Sequence, residues 1–268
     1  MIKTVIPKSV EEVYAWIDNV RQNSDSYVTN FYAGQGSINK WIEWKQLEYF
    51  NTEHVFLLLR SSKFSKQLYY FADSIENVGN ALLLLTTIED QLNLDFLGEE
   101  DSVHNMLENI GFHHYITLHR MTKLDKTGCD EPLSYGEYAA FEDAHKIQEL
   151  LEQTMDLNSD QVPCTSEIED YIKRNAAIVT KKGLDIIACV MWTRQGKRME
   201  WNYWALNPKY KGTTYSLDLL EAYLRLNGSV VRTTLFVRDR NPASAIYGRI
   251  GFKYDGLKDF VYCYRRGQ

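Results

Sequence analysis

A chain that repeats itself has to build the same fold twice, and this chain repeats. Laying Asp101-Ser-Val-His-Asn-Met-Leu-Glu-Asn-Ile-Gly-Phe112 over Asn241-Pro-Ala-Ser-Ala-Ile-Tyr-Gly-Arg-Ile-Gly-Phe252 brings the two Ile-Gly-Phe endings together at an offset of 140 residues. The flanks follow at the same offset: the strand-like 92–97 falls near 232–237, and the helix-like 76–90 falls on 216–230. A tripeptide shared by chance would not carry its neighbours with it, so the pattern implies a tandem duplication whose copies have diverged. The 268 residues suit two copies, each within the ~100 to 200 residues of an ordinary domain.

Composition narrows the class further. Apolar residues at 44% and charged residues at 25% belong to a chain that folds around a core. The longest aliphatic run, 81–85, is far short of the ~20 residues needed to cross a bilayer, and the first residues carry no apolar signal core. No membrane association is expected. Cys129, Cys164, Cys189 and Cys263 form no Cys-x-x-Cys pair, so neither a disulfide framework nor a zinc cluster is expected; reduced thiols in a cytoplasm are. The net charge of −6 is uneven: up to Asp125 there are 10 Lys+Arg against 17 Asp+Glu, and from there on 20 against 19. The acidic first half argues against nucleic-acid binding, while the second half has cations enough to hold one compact polyanion.

Periodicity orders the second copy as a strand at 135–141, helices at 143–155 and 166–176, and a strand at 177–180. The second of these helices is assigned a capping box made by Ser166 and Glu169. A hairpin of 186–193 and 199–206 turns at 194–197, followed by a helix at 215–226, a strand at 230–237, a helix at 242–249 and a closing strand at 254–264. In the first copy, helices are expected at 10–21 and 38–49, and strands at 55–60 and 67–71. Residues 123–134, with Gly128 and Pro132 and no apolar period, are the expected linker between domains 1–122 and 135–268.

The segment 205–216, Ala-Leu-Asn-Pro-Lys-Tyr-Lys-Gly-Thr-Thr-Tyr-Ser, lies between a strand and a helix, where exposed amides and a helix N-terminus can cradle a phosphate. Lys209 and Lys211 add charge, Thr213, Thr214 and Ser216 add hydroxyls, and Gly212 permits close backbone approach. Together with what surrounds it, this half resembles the GNAT N-acetyltransferase superfamily. Asp143-Ala-His-Lys-Ile-Gln-Glu-Leu-Leu looks like that family's first helix. Residues 200–206 with Pro208-Lys-Tyr-Lys-Gly212 look like its fourth strand and acyl-CoA loop. The segment ending in Ile-Gly-Phe252 is similar to its Asn-x-x-Ala-x-x-x-Tyr-x-x-x-Gly-Phe helix. The family's glycine-rich loop falls on Lys211, Thr214 and Ser216, each changed from the family pattern.

The resemblance implies an α/β (α+β) fold of two tandem GNAT-like domains, each a mixed, mostly antiparallel sheet flanked by helices. It implies acetyl-CoA as the donor, with no metal: the amides of Lys211, Gly212, Thr213, Thr214, Tyr215 and Ser216 on the pyrophosphate, the backbone of Ala205 and Leu206 on the pantetheine arm, and Asn241 on the cofactor. Tyr247 occupies the position that donates a proton to the departing thiolate, and Glu200 the position that takes the proton from the amine. Packing on the sheet for Tyr247 and a solvent-facing strand position for Glu200 are the bland readings of the same residues. At the offset of 140, Tyr247 is matched by Leu107, Asn241 by Asp101, and Lys211 to Ser216 by Phe71-Ala-Asp-Ser-Ile-Glu76, so the first copy lacks an acyl-CoA loop.

The expected activity is N-acetyl transfer from acetyl-CoA to a small-molecule or peptide amine in the second domain. A non-catalytic acyl-CoA-binding or protein-interaction module is the alternative. Aminoacyl transfer from tRNA is a third, disfavoured by the acidic half. No pattern speaks to oligomeric state. His113, His114 and His119 suit solvated or core roles better than a metal, since neighbours on a strand face opposite ways.

Overall fold

The computed structural model describes residues 3–24, 26–32, 35–125 and 128–267. In chain order the elements are α1 (Val10–Gln22), β1 (Val28–Thr29), α2 (Gln35–Glu43), β2 (Leu47–Asn51), β3 (Val55–Ser61), β4 (Lys66–Ala72), α3 (Ile75–Leu85), β5 (Gln91–Leu97), α4 (Asp101–Ile110) and β6 (His113–Leu124). They continue as β7 (Glu137–Tyr138), α5 (Ala144–Thr154), α6 (Thr165–Lys173), β8 (Ala177–Lys182), β9 (Asp185–Gln195), β10 (Arg198–Leu206), α7 (Tyr215–Leu226), β11 (Arg232–Arg238), α8 (Ala243–Arg249) and β12 (Lys253–Arg265). The chain forms two compact units, Met1–Leu118 with Lys258–Gln268, and His119–Leu257.

In the first unit the sheet runs β2-β3-β4-β5-β12-β6, using the C-terminal part of β12 and the start of β6. β2, β3 and β4 are antiparallel neighbours, and β4 meets β5 in parallel through Gln67↔Asn93 alone. One face packs Val78, Leu82 and Leu85 of α3 with Val103 and Leu107 of α4; the other packs Val13, Ile17 and Val20 of α1 with Ile38 and Trp41 of α2. The second unit repeats the plan with β7-β8-β9-β10 antiparallel and β10 parallel to β11, α7 and α8 on one face and α5 and α6 on the other. Each unit is thus a mixed, mostly antiparallel sheet between helices, as expected. The two Ile-Gly-Phe segments do one job twice. Gly111 (φ 98°) and Gly251 (φ 102°) take the left-handed conformation that ends α4 and follows α8, and Phe112 and Phe252 are buried.

The local differences from the sequence expectations have local causes. The helix expected over 38–49 stops at Glu43, because Leu47–Asn51 alternate against β3 and Lys45 (φ 56°) turns the chain between them. The strand expected at 135–141 shortens to Glu137–Tyr138, since Gly136 turns at φ 71° and the Asp143 carboxylate accepts from the Ala140 N–H, opening a 3₁₀ turn. The cap of α6 is not Ser166 with Glu169: the Cys164 N–H donates to Glu167 Oε2 at 2.9 Å, two residues earlier. Lys258–Gln268 group with the first unit and not with 135–257, because β12 pairs with β5 from Asp259↔Leu97 to Arg265↔Gln91. Tyr262, 1% exposed, enters the first unit's core there. Among the described residues no helix is long and apolar enough to cross a membrane, and no group of three His, Cys, Asp or Glu could hold a metal.

Candidate active site

The site grows from a defect in β10. Up to Trp201 its odd-numbered residues, Met199 and Trp201, face α7 and α8; between Trp201 and Tyr203 the pairing with β9 shifts by one residue. After this bulge the even-numbered residues Trp204 and Leu206 take that face, while Tyr203 and Ala205 turn to α5 and α6. The parallel ladder to β11 covers Arg198↔Arg232, Met199↔Thr233 and Glu200↔Thr234 and goes no further. From Trp201 to Leu206 the β11-facing edge of β10 therefore has no ladder partner among the described residues, and the two strands leave an opening between them. Asn202, at the bulge, carries a water-inaccessible Oδ1 without a hydrogen-bond partner.

Glu200 is the last paired residue before this opening. It is exposed as a residue, yet the protein around its carboxyl withholds water and pushes its pKa up, and no hydrogen bond or cation among the described residues offsets that. Tyr247, from α8, packs its ring on Trp201, Trp204 and Phe252 at centroid separations of 5.3, 5.9 and 6.0 Å. Its hydroxyl has no hydrogen-bond partner among the described residues. Burial first, and the charge of Asp160 second, push the phenol pKa above its ordinary value.

Asp160 was not legible from spacing. It belongs to the loop between α5 and α6, and Arg238 at the end of β11 binds it at 3.0 Å and Asp156 at 3.5 Å. The Tyr203 hydroxyl donates to the Gln161 carbonyl at 3.0 Å. The loop is thereby pinned beside the strand opening. Burial still leaves the Asp160 pKa raised despite its arginine.

The segment after β10 begins with Asn207, whose side chain accepts from the Lys209 N–H at 3.1 Å and starts a 3₁₀ turn at Pro208–Tyr210. Gly212 sits at φ 87°, with open space where a side chain would project. The Lys211 and Thr213 amides close this turn, to Pro208 and Tyr210. Those of Gly212, Thr214, Tyr215 and Ser216, at the start of α7, have no partner among the described residues. Thr214 lies at φ −86°, so threonine is unstrained there. Of the hydroxyls, Thr213 is spent on the Tyr210 carbonyl (2.7 Å) and Thr214 on Asp218 (2.8 Å), which brings a carboxylate into the first turn. The Trp204 indole N–H donates to the Ser216 carbonyl at 3.2 Å and ties this helix start to β10. Asn241 starts α8: its Oδ1 accepts from the Ala243 N–H at 2.9 Å.

Solved structures match this architecture along its whole length. A GCN5-related N-acetyltransferase from Sphaerobacter thermophilus aligns with a TM-score of 0.57 at 12% identity, over 98% of this chain and 95% of that one. A GNAT-family acetyltransferase from Colwellia psychrerythraea aligns at 0.54 and 10% identity, over 99% and 100%. A tandem GNAT protein from the clavulanic acid biosynthesis pathway aligns at 0.54 and 11% identity, over 100% and 99%. This chain has the tandem GNAT fold. At these identities the likeness is one of fold, and no protein-family model or curated protein matches the sequence.

Within that fold the first unit shows what an occupied opening looks like. β4 and β5 separate beyond Gln67↔Asn93 just as β10 and β11 do, but here Asn30, 2% exposed, fills the gap. Its Nδ2 donates to the carbonyls of Leu68 (3.1 Å) and Asp95 (2.8 Å), and its Oδ1 accepts from the Tyr70 N–H (2.7 Å). β1 adds Val28↔Ala72 and Thr29↔Phe71 along the same edge of β4. Backbone groups that stay free in the second GNAT unit are satisfied internally in the first. At the place of Tyr247, Leu107 is fully buried in the core.

Proposed function

We propose that the chain is an acetyl-CoA-dependent N-acetyltransferase that moves an acetyl group to a primary amine in its second unit. The observation that carries this reading is the β10–β11 opening, bordered by Glu200 and Tyr247, whose carboxyl and hydroxyl have no hydrogen-bond partner among the described residues. Acetyl-CoA supplies the thioester. Its fit to this chain rests on two features: the unpaired β10 edge at Ala205 and Leu206 with the orphaned Asn202 Oδ1 on the same strand, suited to the pantetheine amides, and the unpartnered amides of Gly212, Thr214, Tyr215 and Ser216, suited to the pyrophosphate. Lys211 adds positive charge there, and in this reading Asn241, before α8, is a further contact to the cofactor.

In this reading Glu200, ionised and unpaired, takes a proton from the attacking ammonium or amine, directly or through water. Tyr247 stays protonated at neutral pH, because its pKa is raised, and donates to sulfur as charge develops on the leaving thiolate. The acceptor is a small-molecule or peptide amine, and the setting a cytoplasm. The first unit, whose opening Asn30 closes, binds no acyl-CoA.

One observation favours the second reading, a non-catalytic module, in its protein-interaction form: the Asp218 carboxylate that Thr214 holds in the first turn of α7 opposes an anion. Calorimetry with acetyl-CoA and CoA, followed by thiol release with a panel of primary amines, separates the outcomes. Binding with release supports the transferase, binding without release under any amine supports an acyl-CoA-binding module, and no binding leaves only the protein-interaction module.

A further inference from the structure

The two units treat the same loop differently. In the first, the segment between α1 and α2 enters the gap between β4 and β5, where Asn30 bonds to Leu68, Tyr70 and Asp95. In the second, the corresponding segment between α5 and α6 is tied instead to the two strands that border its gap. The Tyr203 hydroxyl, on β10 past the Glu200↔Thr234 pair that ends the ladder, donates to the Gln161 carbonyl at 3.0 Å. Arg238, at the end of β11 and also past that pair, sends Nη2 to Asp160 at 3.0 Å and Nη1 to Asp156 at 3.5 Å.

The carboxylates that receive this guanidinium also fold the loop. Asp156 Oδ1 accepts from the N–H groups of Asn158 (3.0 Å) and Ser159 (3.3 Å), and Asp160 Oδ2 accepts from the Asp156 N–H at 2.6 Å. One forked cation thus binds both ends of the turn, where a point charge would reach one. Gln161, next in the chain, takes φ 42°, a left-handed conformation that a side chain resists and that persists only where the surroundings impose it. At the offset of 140 residues Arg238 falls on Gly98, which has no side chain to hold a loop. The tether is present in the unit whose gap is open and missing from the unit whose gap is filled.

We infer that Arg238 is a positioning residue: by holding Asp156 and Asp160 to the end of β11, it keeps the α5–α6 loop out of the β10–β11 opening, the place that the first unit's loop takes. The inference rests on the acyl-CoA reading of that opening and adds to it a control on access. Without Arg238 the loop folds inward and meets the parted strands as Asn30 meets β4 and β5. Loop and pantetheine arm then compete for one set of backbone groups. Such competition lowers the apparent affinity by the fraction of chains that remain open, and leaves the rate at saturation alone.

The test titrates acetyl-CoA calorimetrically into the parent chain, Arg238→Gln and Arg238→Lys, and follows thiol release with the best amine of a panel. Arg238→Gln should bind acetyl-CoA about tenfold more weakly, with KM for acetyl-CoA raised to match and kcat within about threefold of the parent. Arg238→Lys keeps the charge without the fork and should lose about threefold in affinity, again with kcat preserved; it carries the test should Arg238→Gln fail to fold. Arg225→Gln, which cuts an exposed ion pair on α7, should change neither quantity. Equal affinity in the folded Arg238 variants would overturn the inference, and so would a loss of kcat with affinity unchanged, which would give Arg238 a part in the chemistry. If acetyl-CoA fails to bind the parent chain, the reading of the opening falls and the inference with it. Binding by parent and variants alike removes the inference alone.

Discussion

Replacing Tyr247 by phenylalanine separates chemistry from packing, because the structure gives its ring and its hydroxyl different surroundings. The ring contacts on Trp201, Trp204 and Phe252 survive the change. The hydroxyl has no hydrogen-bond partner to lose, so the ~0.5 to 1.5 kcal/mol that a typical bond contributes does not apply, and denaturant unfolding should shift by less than about 0.5 kcal/mol. Affinity for CoA should hold as well. Turnover should not. A positioned general acid contributes ~10²- to 10⁴-fold, which at 1.36 kcal/mol per decade is about 2.7 to 5.5 kcal/mol of barrier. The assay is steady-state thiol release with the best amine of a panel, on both proteins at matched saturation. Since burial and Asp160 raise the phenol pKa, the parent enzyme should show no alkaline loss from this group below its ordinary value of ~10. Full turnover in Tyr247→Phe would refute the assignment, leaving water or the amine to protonate sulfur, while the fold would stand.

Glu200→Gln should lower turnover by ~10² to 10⁴-fold, and the parent profile should lose activity as pH falls through a value above the ordinary carboxylate range. The stability sign is opposite: a folded pKa above the unfolded one means stability is lost as pH rises through it, so the variant should melt higher than the parent at neutral pH. Lys211→Glu should weaken acetyl-CoA binding by ~1.5 to 3 kcal/mol in calorimetry, the range for hydrogen bonds to charged groups; unchanged affinity would remove the loop from the site. Asn30→Ala leaves three buried backbone groups unpaired and should cost ~1.5 to 4.5 kcal/mol in chemical unfolding, at ~0.5 to 1.5 each. Leu107→Ala, at the fully buried counterpart of Tyr247, should cost ~2 to 5 kcal/mol with no specific defect in turnover.

The repeat was legible because it rests on residues whose identity is forced by backbone geometry. Gly111 and Gly251 both exit a helix at φ near 100°, a conformation that side chains resist, and the phenylalanine after each is core. Apolar periodicity placed α7 at Tyr215–Leu226 for the same kind of reason: Leu219, Leu220 and Tyr223 must all reach one sheet. Where local pattern failed, two structures competed for the same residues. Leu47 and Tyr49 continue the helical spacing of α2, yet alternate against β3, and a neighbouring strand outweighs propensity. The partner of β12 was hidden for a deeper reason. Its alternation specifies a face to bury, and a duplicated fold offers two sheets of one design, so only the completed register shows that Phe260, Tyr262 and Tyr264 serve the first.

The difference between the two copies is likewise a matter of register rather than motif. Sequence alone marks the first copy by what it lacks: Leu107 for Tyr247 and Asp73 with Glu76 in place of a basic loop. The structure adds what it has gained. Asn30 sits in a stretch with no apolar period, too short a segment to stand out, and satisfies three backbone groups of the separated strands. In the second unit the corresponding loop instead sends Asp160 to Arg238, and among the described residues the β10 edge and the Tyr247 hydroxyl have no hydrogen-bond partner on that side. Parallel strands that part must have their polar groups met by something. The first copy meets them with its own asparagine, and in the second the groups unmet among the described residues line the opening where the Glu200 carboxyl and the Tyr247 hydroxyl also lack a partner among them, which is why the acyl-transfer reading is placed there.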